Sequence, residues 1–241
     1  MAESELVPPP ADGRVFRHPV AAGLADVAPS GRARLDASAR WLQDAALAAV
    51  VDSGLDGGGV WVLRRLRLCV VRFPRLGDAL EVRTFCSGTG ALVAERRSTV
   101  VVAGGEGEPA VEALALWVHL DPDGAHPRPL PEGFETVYGA TAAGRRVRAR
   151  LRHPGEPPAG APAAPWRFRA ADLDIAGHVN NSVYWQVVEE ELVAREPAAG
   201  VDVEIEYRAA GEVGDAVVLA GEEMRWIAAD GDVLATVRLG D

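Results

Sequence analysis

The sequence predicts an α+β protein that contains two tandem copies of one structural unit. Two observations support this prediction. Several short blocks recur in the same order in the two halves of the 241-residue chain. In each half, apolar residues first follow helical spacing and then alternate, as they do in half-buried strands. One helix followed by long strands favours a layered fold in which the helix lies against one face of a sheet.

The repeated blocks flank each predicted helix. RVFR (14–17) and ADVAPSGRA (25–33) precede the first helix, and WRFR (166–169) and ADLDIAGHV (171–179) precede the second. RLCVVRFPRLGDALEV (67–82) likewise parallels EIEYRAAGEVGDAVVL (204–219). In this alignment Asp26 matches Asp172 and Gly31 matches Gly177. Chance similarity in a chain rich in Ala, Gly, Arg and Val is the alternative, but blocks that keep one order favour a repeat.

The first helix is predicted over 36–54, with Asp36 as its N-cap and Gly54 at its end. The second is predicted over 180–196, with Asn180 or Asn181 as its N-cap, and it ends before Pro197. Strands are predicted at 61–73 and 201–208, and within 79–102, 110–120 and 215–239.

The domain organisation follows from these elements. We expect a disordered tail over 1–13, a first unit over 14–135, a connecting region over 136–165 and a second unit over 166–241. The connecting region contains RRVRARLR, whose alternation predicts a strand with a basic outer face, followed by a Pro/Gly/Ala linker.

Composition excludes several classes of function. A net charge of −10 disfavours a nucleic-acid-binding protein, and no apolar run is long enough to span a bilayer. The N-terminus has no secretory signal pattern. Every basic residue is arginine, so a P-loop lysine and a lysine Schiff base are both excluded. Cys69 and Cys86 form no metal or redox motif, which suits a reducing cytoplasm, and no metal or cofactor is expected.

A polar cluster directly precedes the second helix. It comprises Asp172, Asp174, His178, Asn180 and Asn181. A helix N-terminus stabilises developing negative charge, a carboxylate can attack or take a proton from water, and histidine titrates near neutrality. The alternative is that the cluster only caps the helix and braces its turn.

The first copy favours the catalytic interpretation of this cluster. Ala28 takes the place of Asp174 there, and Arg32 takes the place of His178. Residues needed only for folding would be expected in both copies.

DLDIAGHVNNSVYW (172–185) resembles the signature of the hotdog-fold thioesterases, and the tandem layout resembles the acyl-ACP thioesterases. The resemblance covers about 14–120 and 166–239. It implies a double hotdog, in which two antiparallel sheets each wrap around one long helix and together form an acyl-binding tunnel. It also implies that Asp174 activates water or attacks the thioester and that His178 orients the water or the substrate. The thioester carbonyl would face the backbone N–H groups of Val179, Asn180 and Asn181.

The sequence also departs from the plant-type members of this family. Ala176 stands where they have asparagine, and Ala210 stands close to their glutamate, with Glu212 as a candidate substitute. The stretch DIAGHVNN is more similar to the single-hotdog acyl-CoA thioesterases. Those enzymes often add a carboxylate from the helix, for which Glu189 and Glu190 are the candidates.

The expected function is hydrolysis of fatty acyl thioesters, with acyl-ACP as the expected substrate. An acyl-CoA thioesterase of the same fold and a non-catalytic acyl-chain-binding protein are the alternatives, and a hotdog hydratase is a weaker third. Arg146, Arg148 and Arg150 are candidates for docking the acidic carrier protein or the phosphates of CoA, the alternative being a solvated strand. We expect a monomer or a homodimer.

Overall fold

The computed structural model describes residues 6–55, 58–103, 108–124, 126–195, 197 and 200–240. Within these residues the strands are β1 (Phe16–Ala21), β2 (Val60–Val70), β3 (Ala79–Thr89), β4 (Val93–Val102), β5 (Val111–Leu120), β6 (Ala163–Phe168), β7 (Val201–Tyr207), β8 (Gly214–Ala220), β9 (Met224–Ala229) and β10 (Asp232–Leu239). The helices are α1 (Leu35–Ser53), α2 (Phe134–Ala142) and α3 (Trp185–Ala194). Most of the expected tail is described, except for residues 1–5, which lie outside the described part. None of the described helices is long and apolar enough to cross a membrane.

The described strands form one antiparallel sheet of ten, in the order β1-β3-β4-β5-β2-β7-β10-β9-β8-β6. From either edge inward, the order within each set of five is first, third, fourth, fifth, second. The two halves therefore share one strand arrangement and meet at a pseudo-twofold axis between β2 and β7. The predicted repeat is confirmed.

The expectation of two separate sheets is wrong, because β2 and β7 join the halves into one sheet. The two strands pair antiparallel from Arg65 opposite Glu206 to Val70 opposite Val201. This pairing satisfies the backbone groups that two separate sheets would each leave exposed at an edge.

Helices α1 and α3 contact each other and share one hydrophobic core with the sheet. The buried core residues from the helices include Trp41, Leu42, Trp185 and Val188. They pack with inward-facing residues of the two central strands, such as Leu66 and Ile205. A continuous core under both halves makes them one folding unit.

The ends of the helices differ in detail from the predictions. Gly54 ends α1 in the left-handed conformation, as predicted. Asp36 is not the N-cap, because α1 begins at Leu35 and the Asp36 carboxylate instead pairs with Arg34 at 2.9 Å. Helix α3 begins only at Trp185, since residues 181–184 form tight turns.

The predicted basic strand is not a strand. Residues 144–152 form one isolated bridge, between Thr89 and Arg146, and otherwise run without regular structure across the outer face of the sheet. Strand β1 pairs with β3 only as far as Thr84, and on the β3 edge beyond it the segment forms just two backbone hydrogen bonds. The Thr89 N–H donates to the Arg145 carbonyl and the Val147 N–H donates to the Thr89 carbonyl, both at 3.0 Å. We call residues 145–155 the strap. Its end is anchored by Glu206, whose carboxylate accepts from the backbone N–H groups of Arg152 (2.7 Å) and His153 (3.1 Å).

Candidate active site

The polar cluster lies on a tight turn that leads into α3. The Asp174 N–H donates to the His178 carbonyl at 2.8 Å, and the Gly177 N–H donates to the Asp174 carbonyl at 3.0 Å. Gly177 has φ +78°, a conformation that favours glycine. The turn therefore holds Asp174 and His178 at opposite ends of one hydrogen-bonded loop, and the His178 side chain is exposed to solvent.

The first repeat contains a turn with the same backbone hydrogen bonds at the matching residues. The Ala28 N–H donates to the Arg32 carbonyl at 2.8 Å, and the Gly31 N–H donates to the Ala28 carbonyl at 2.8 Å. Gly31 has φ +80°. The two turns thus share one backbone and differ in chemistry, because Ala28 and Arg32 occupy the positions of Asp174 and His178.

Asp172 has a structural role that both repeats share. Its carboxylate accepts from the Arg169 N–H at 2.7 Å, and the Asp26 carboxylate accepts from the Gly23 N–H at 2.9 Å in the first repeat. Each of these carboxylates closes a short 3-10 turn ahead of the matched loop. Asp172 therefore braces the site.

Asp174 differs from Asp172 because its carboxylate is only partly engaged. One oxygen, Oδ1, accepts from the Ala176 N–H at 2.8 Å, and no described group donates to the other oxygen. The side chain is half-buried at the surface of the turn. One oxygen is thus fixed by the backbone, and the second is available to water or substrate.

The three expected oxyanion donors are not equivalent. The Val179 N–H donates to the Gly211 carbonyl at 2.8 Å, and the Asn180 N–H donates to the Asp172 carbonyl at 2.8 Å. The Asn181 N–H has no acceptor among the described residues. Two of the three N–H groups are therefore used to hold the turn, and only that of Asn181 is open to a ligand.

Neighbouring side chains fix the peptide groups around Asn181. The Asn180 side chain accepts from the Ser182 N–H at 2.9 Å and the Ser182 hydroxyl at 2.8 Å, so it caps the turn and not the helix itself. The Tyr207 hydroxyl donates to the Asn181 carbonyl at 2.9 Å and accepts from the Trp185 indole at 3.0 Å. Sequence reasoning missed Tyr207, although it belongs to the Glu-Tyr-Arg stretch in the strand after α3.

The predicted accessory carboxylates lie in three different places. Glu189 is buried against the first repeat. Glu190 is exposed in a polar cleft that it shares with Asp172 and Gln186. Glu212 is exposed beside Gly211, whose carbonyl holds Val179, so it lies on the loop that touches the candidate turn.

Glu189 links α3 to the start of α1. Its Oε2 accepts from the Leu35 N–H at 3.0 Å, and its Oε1 pairs with the Arg32 guanidinium at 2.7 Å. Burial raises the pKa of Glu189, and the Leu35 N–H and Arg32 oppose that shift. Leu35 follows Arg32 by the same three positions by which Asn181 follows His178. Leu35 therefore matches Asn181. The Leu35 N–H donates to a carboxylate of the protein itself, whereas the Asn181 N–H has no acceptor among the described residues.

An apolar cavity lies between α1 and the first-repeat half of the sheet. Its lining includes Leu42, Gln43, Ala46, Leu63, Arg96 and Trp117. Most of this lining is apolar, and the cavity volume of about 10 Å³ has room for about one water molecule.

One group of side chains could hold a metal by its residue types. His153 of the strap and Glu204 and Glu206 of β7 are buried, with ligand atoms within 4.8 Å of one another. His153 already contacts Glu204 at 3.1 Å and the Thr236 hydroxyl at 3.1 Å, and Glu206 anchors the strap. Burial disfavours the charge of Glu204, but His153 and Arg65 outweigh it and hold the pKa of this carboxyl below its usual value. The group therefore fastens the strap to the sheet.

The sequence matches two family models in tandem. The model of the acyl-ACP thioesterase N-terminal domain matches residues 13–138, and that of the C-terminal domain matches residues 157–230. The chain belongs to the acyl-ACP thioesterase family. It is accordingly a thioester hydrolase that acts on fatty acyl thioesters.

Individual relatives of this thioesterase are distant. An uncharacterized protein of Mycobacterium tuberculosis is 24% identical over 221 residues, which cover 90% of this chain and 86% of that protein. The palmitoyl-acyl carrier protein thioesterase of Arabidopsis thaliana is 29% identical over 122 residues, which cover 46% of this chain and 29% of the plant protein. An acyl-ACP thioesterase of Bacteroides thetaiotaomicron has a similar fold, with a TM-score of 0.75, 19% identity and coverage of 93% and 96% of the two chains. This similarity supports the hotdog fold.

The Glu189 contacts predict that this residue stabilises the thioesterase by pairing with Arg32. Glu189→Ala leaves a guanidinium buried without its carboxylate, and it should lower the free energy of unfolding by about 3–5 kcal/mol, measured by urea denaturation. The matched control is Glu190→Ala on the exposed side of α3, which should change stability by less than about 0.5 kcal/mol.

A double variant separates the ion pair from simple loss of packing. Arg32→Met with Glu189→Leu removes both charges and should recover most of the lost stability. Equal stability of Glu189→Ala and the native protein would contradict the assigned role.

Proposed function

We propose that this thioesterase hydrolyses acyl-ACP at the turn of the second repeat, with Asp174, His178 and the Asn181 N–H as the reacting groups. The observation that carries this proposal is the contrast between two turns of the same backbone. The second turn has a carboxylate, an exposed imidazole and an open N–H group. The first has Ala28, a buried Arg32 and the Glu189 carboxylate on the matching N–H.

The proposed chemistry uses each of these groups once. The thioester carbonyl oxygen accepts from the Asn181 N–H, which stabilises the negative charge that develops there as the carbonyl carbon is attacked. Asp174 either takes a proton from the attacking water or attacks the carbonyl itself, and both routes need its free carboxylate oxygen. When water attacks, the C–S bond breaks and the proton held by Asp174 passes to the leaving sulfur, which gives the free acid and the carrier thiol. When Asp174 attacks, breakage of the C–S bond leaves a mixed anhydride on Asp174 and a thiolate that takes a proton from water, and a second water then hydrolyses the anhydride to the free acid. His178 orients the water or the substrate from the other end of the turn.

The acyl chain is proposed to bind beside α1, where the small apolar cavity would have to widen through movement of its lining side chains. Leu42, Ala46, Leu63 and Trp117 would contact the hydrocarbon, and its burial would contribute about 0.8 kcal/mol for each methylene removed from water. The first repeat would thus supply the binding cavity, and the second would supply the reacting groups.

The strap is the proposed docking surface for the acidic carrier protein. The side chains of Arg146, Arg148 and Arg150 are exposed along it, on a protein whose net charge of −10 would otherwise repel an acidic partner. Because the strap crosses the outer face of the sheet, the pantetheine arm of the carrier would have to pass around the sheet to reach Asn181.

Free-thiol release from acyl-ACPs and acyl-CoAs of several chain lengths tests the proposed reaction. Native protein should turn over, with acyl-ACP preferred. Asp174→Ala should lower kcat by about 10²–10⁴-fold, because it removes the base. The control is Asp215→Asn, an exposed carboxylate on β8, which should keep native turnover. A preference for acyl-CoA would reassign the carrier. Native protein that co-purifies with acyl chains but releases no thiol would instead indicate a binding protein.

Replacement of Arg146, Arg148 and Arg150 together by serine tests the docking surface. Three exposed charge contacts of about 0.5 kcal/mol each correspond to roughly a tenfold rise in KM for acyl-ACP, with kcat unchanged. Added salt should reduce the difference between the two proteins. The matched control replaces exposed arginines away from the strap, Arg17, Arg72 and Arg75, by serine. An unchanged KM in the strap variant, or an equal rise in the control, would argue against docking there.

A further inference from the structure

The pseudo-twofold relation pairs each residue of α1 with a residue of the segment around α3. The alignment of the two repeats that matches Arg32 with His178 also matches Leu35 with Asn181 and Gln43 with Glu189. Burial supports this register. Residues 37–42 and 183–188 have the same pattern of buried and half-buried positions, and Asp44 and Glu190 are both exposed.

The relation places Gln43 opposite the candidate turn. Across the axis, Glu189 reaches from α3 to the Leu35 N–H at the start of α1. A twofold relation is mutual, so the α1 residue that matches Glu189 points toward the α3 residue that matches Leu35. By this relation we expect Gln43 to be directed toward Asn181, whose N–H has no acceptor among the described residues.

The Gln43 side chain is also available to bind a ligand. Its side chain is half-buried and forms no hydrogen bond with any described group. It contributes an amide to the lining of the cavity, next to the apolar Leu42 and Ala46. The amide thus borders the apolar cavity and, by the twofold relation, is expected to face the turn.

We infer that Gln43 is a substrate-contacting residue whose amide N–H donates to the thioester carbonyl oxygen, together with the Asn181 N–H. In the first repeat, the carboxylate of Glu189 accepts from the Leu35 N–H at the start of α1. In the second repeat the acceptor would be the substrate oxygen, and a neutral amide adds a second donor to it. A carboxylate at position 43 would instead occupy the Asn181 N–H and repel the developing oxyanion. This inference rests on the proposed reaction at Asn181.

Two variants test the inference through kcat for hydrolysis of the best acyl-ACP substrate. Gln43→Met keeps the size of the side chain and removes the donor, and it should lower kcat about 100-fold. Gln43→Glu should lower kcat at least as much near pH 8, and its activity relative to native protein should rise as the pH falls and the new carboxyl becomes protonated. That relative rise would not follow from a merely structural defect, and thermal melting checks that each variant is folded.

The controls place similar changes at neighbouring positions of α1. Leu47→Glu adds the same charge one turn along the helix at a site that is 66% exposed, and Asp44→Asn changes the next residue. Both should keep native kcat.

The outcomes separate this inference from the function on which it rests. If native protein turns over, Asp174→Ala does not and both Gln43 variants keep native kcat, the inference is overturned while the proposed function stands. If native protein releases no thiol from any acyl carrier, both are overturned. If Gln43→Glu fails to fold, the kcat of Gln43→Met decides.

Discussion

The antiparallel pairing of β2 with β7 determines the arrangement of the whole molecule. It joins two sets of five strands into one sheet and brings α1 and α3 into contact over a shared core. Because the two helices are related by a pseudo-twofold axis, the start of each faces the middle of the other. Each helix can therefore complete the environment of the turn in the opposite repeat.

The two turns have the same backbone structure but different side chains. Their matching hydrogen bonds and left-handed glycines give both repeats the same loop before the helix. In the first repeat, Glu189 and Arg32 close the helix start with a buried ion pair. A buried pair of this kind depends on both partners, because either charge alone would be costly in the core. In the second repeat the equivalent N–H has no acceptor among the described residues, so a substrate oxygen bound there would displace none of the contacts that the structure describes.

Much of this fold could be predicted from the sequence, because periodicity and repeated blocks report local structure. Strands β2 to β5 and β7 to β10, helix α1 and the repeat could be predicted in this way. The single sheet could not be predicted in the same way, because the pairing of β2 with β7 joins segments far apart in the chain. The predicted basic strand does not form because alternating residues do not reveal how many hydrogen bonds a neighbouring strand edge offers, and β3 offers only the two at Thr89. Helix α2 was missed, although Phe134, Tyr138 and Ala142 are buried at helical spacing.

That Asp174 and His178 lie on one turn could be predicted for the same reason, and their part in the reaction stays a prediction. Asp174 and His178 stand out as chemical types on a recognisable turn. Whether an N–H group is free depends on distant acceptors such as Gly211 and Asp172, which sequence does not place. The position of Glu189 beside the first repeat depends on the packing of α3 against α1, which sequence does not give. The same packing is the ground for expecting Gln43 opposite the second repeat.

The most direct test of this account is a crystal structure of the protein with a ketone analogue of acyl-ACP, in which a methylene replaces the thioester sulfur. The account predicts that the ketone oxygen lies about 3 Å from the Asn181 nitrogen, with the acyl chain beside α1 and the Leu35 N–H still bound to Glu189. A ketone oxygen bound at Leu35, or remote from Asn181, would contradict the assignment of the reaction to the second repeat.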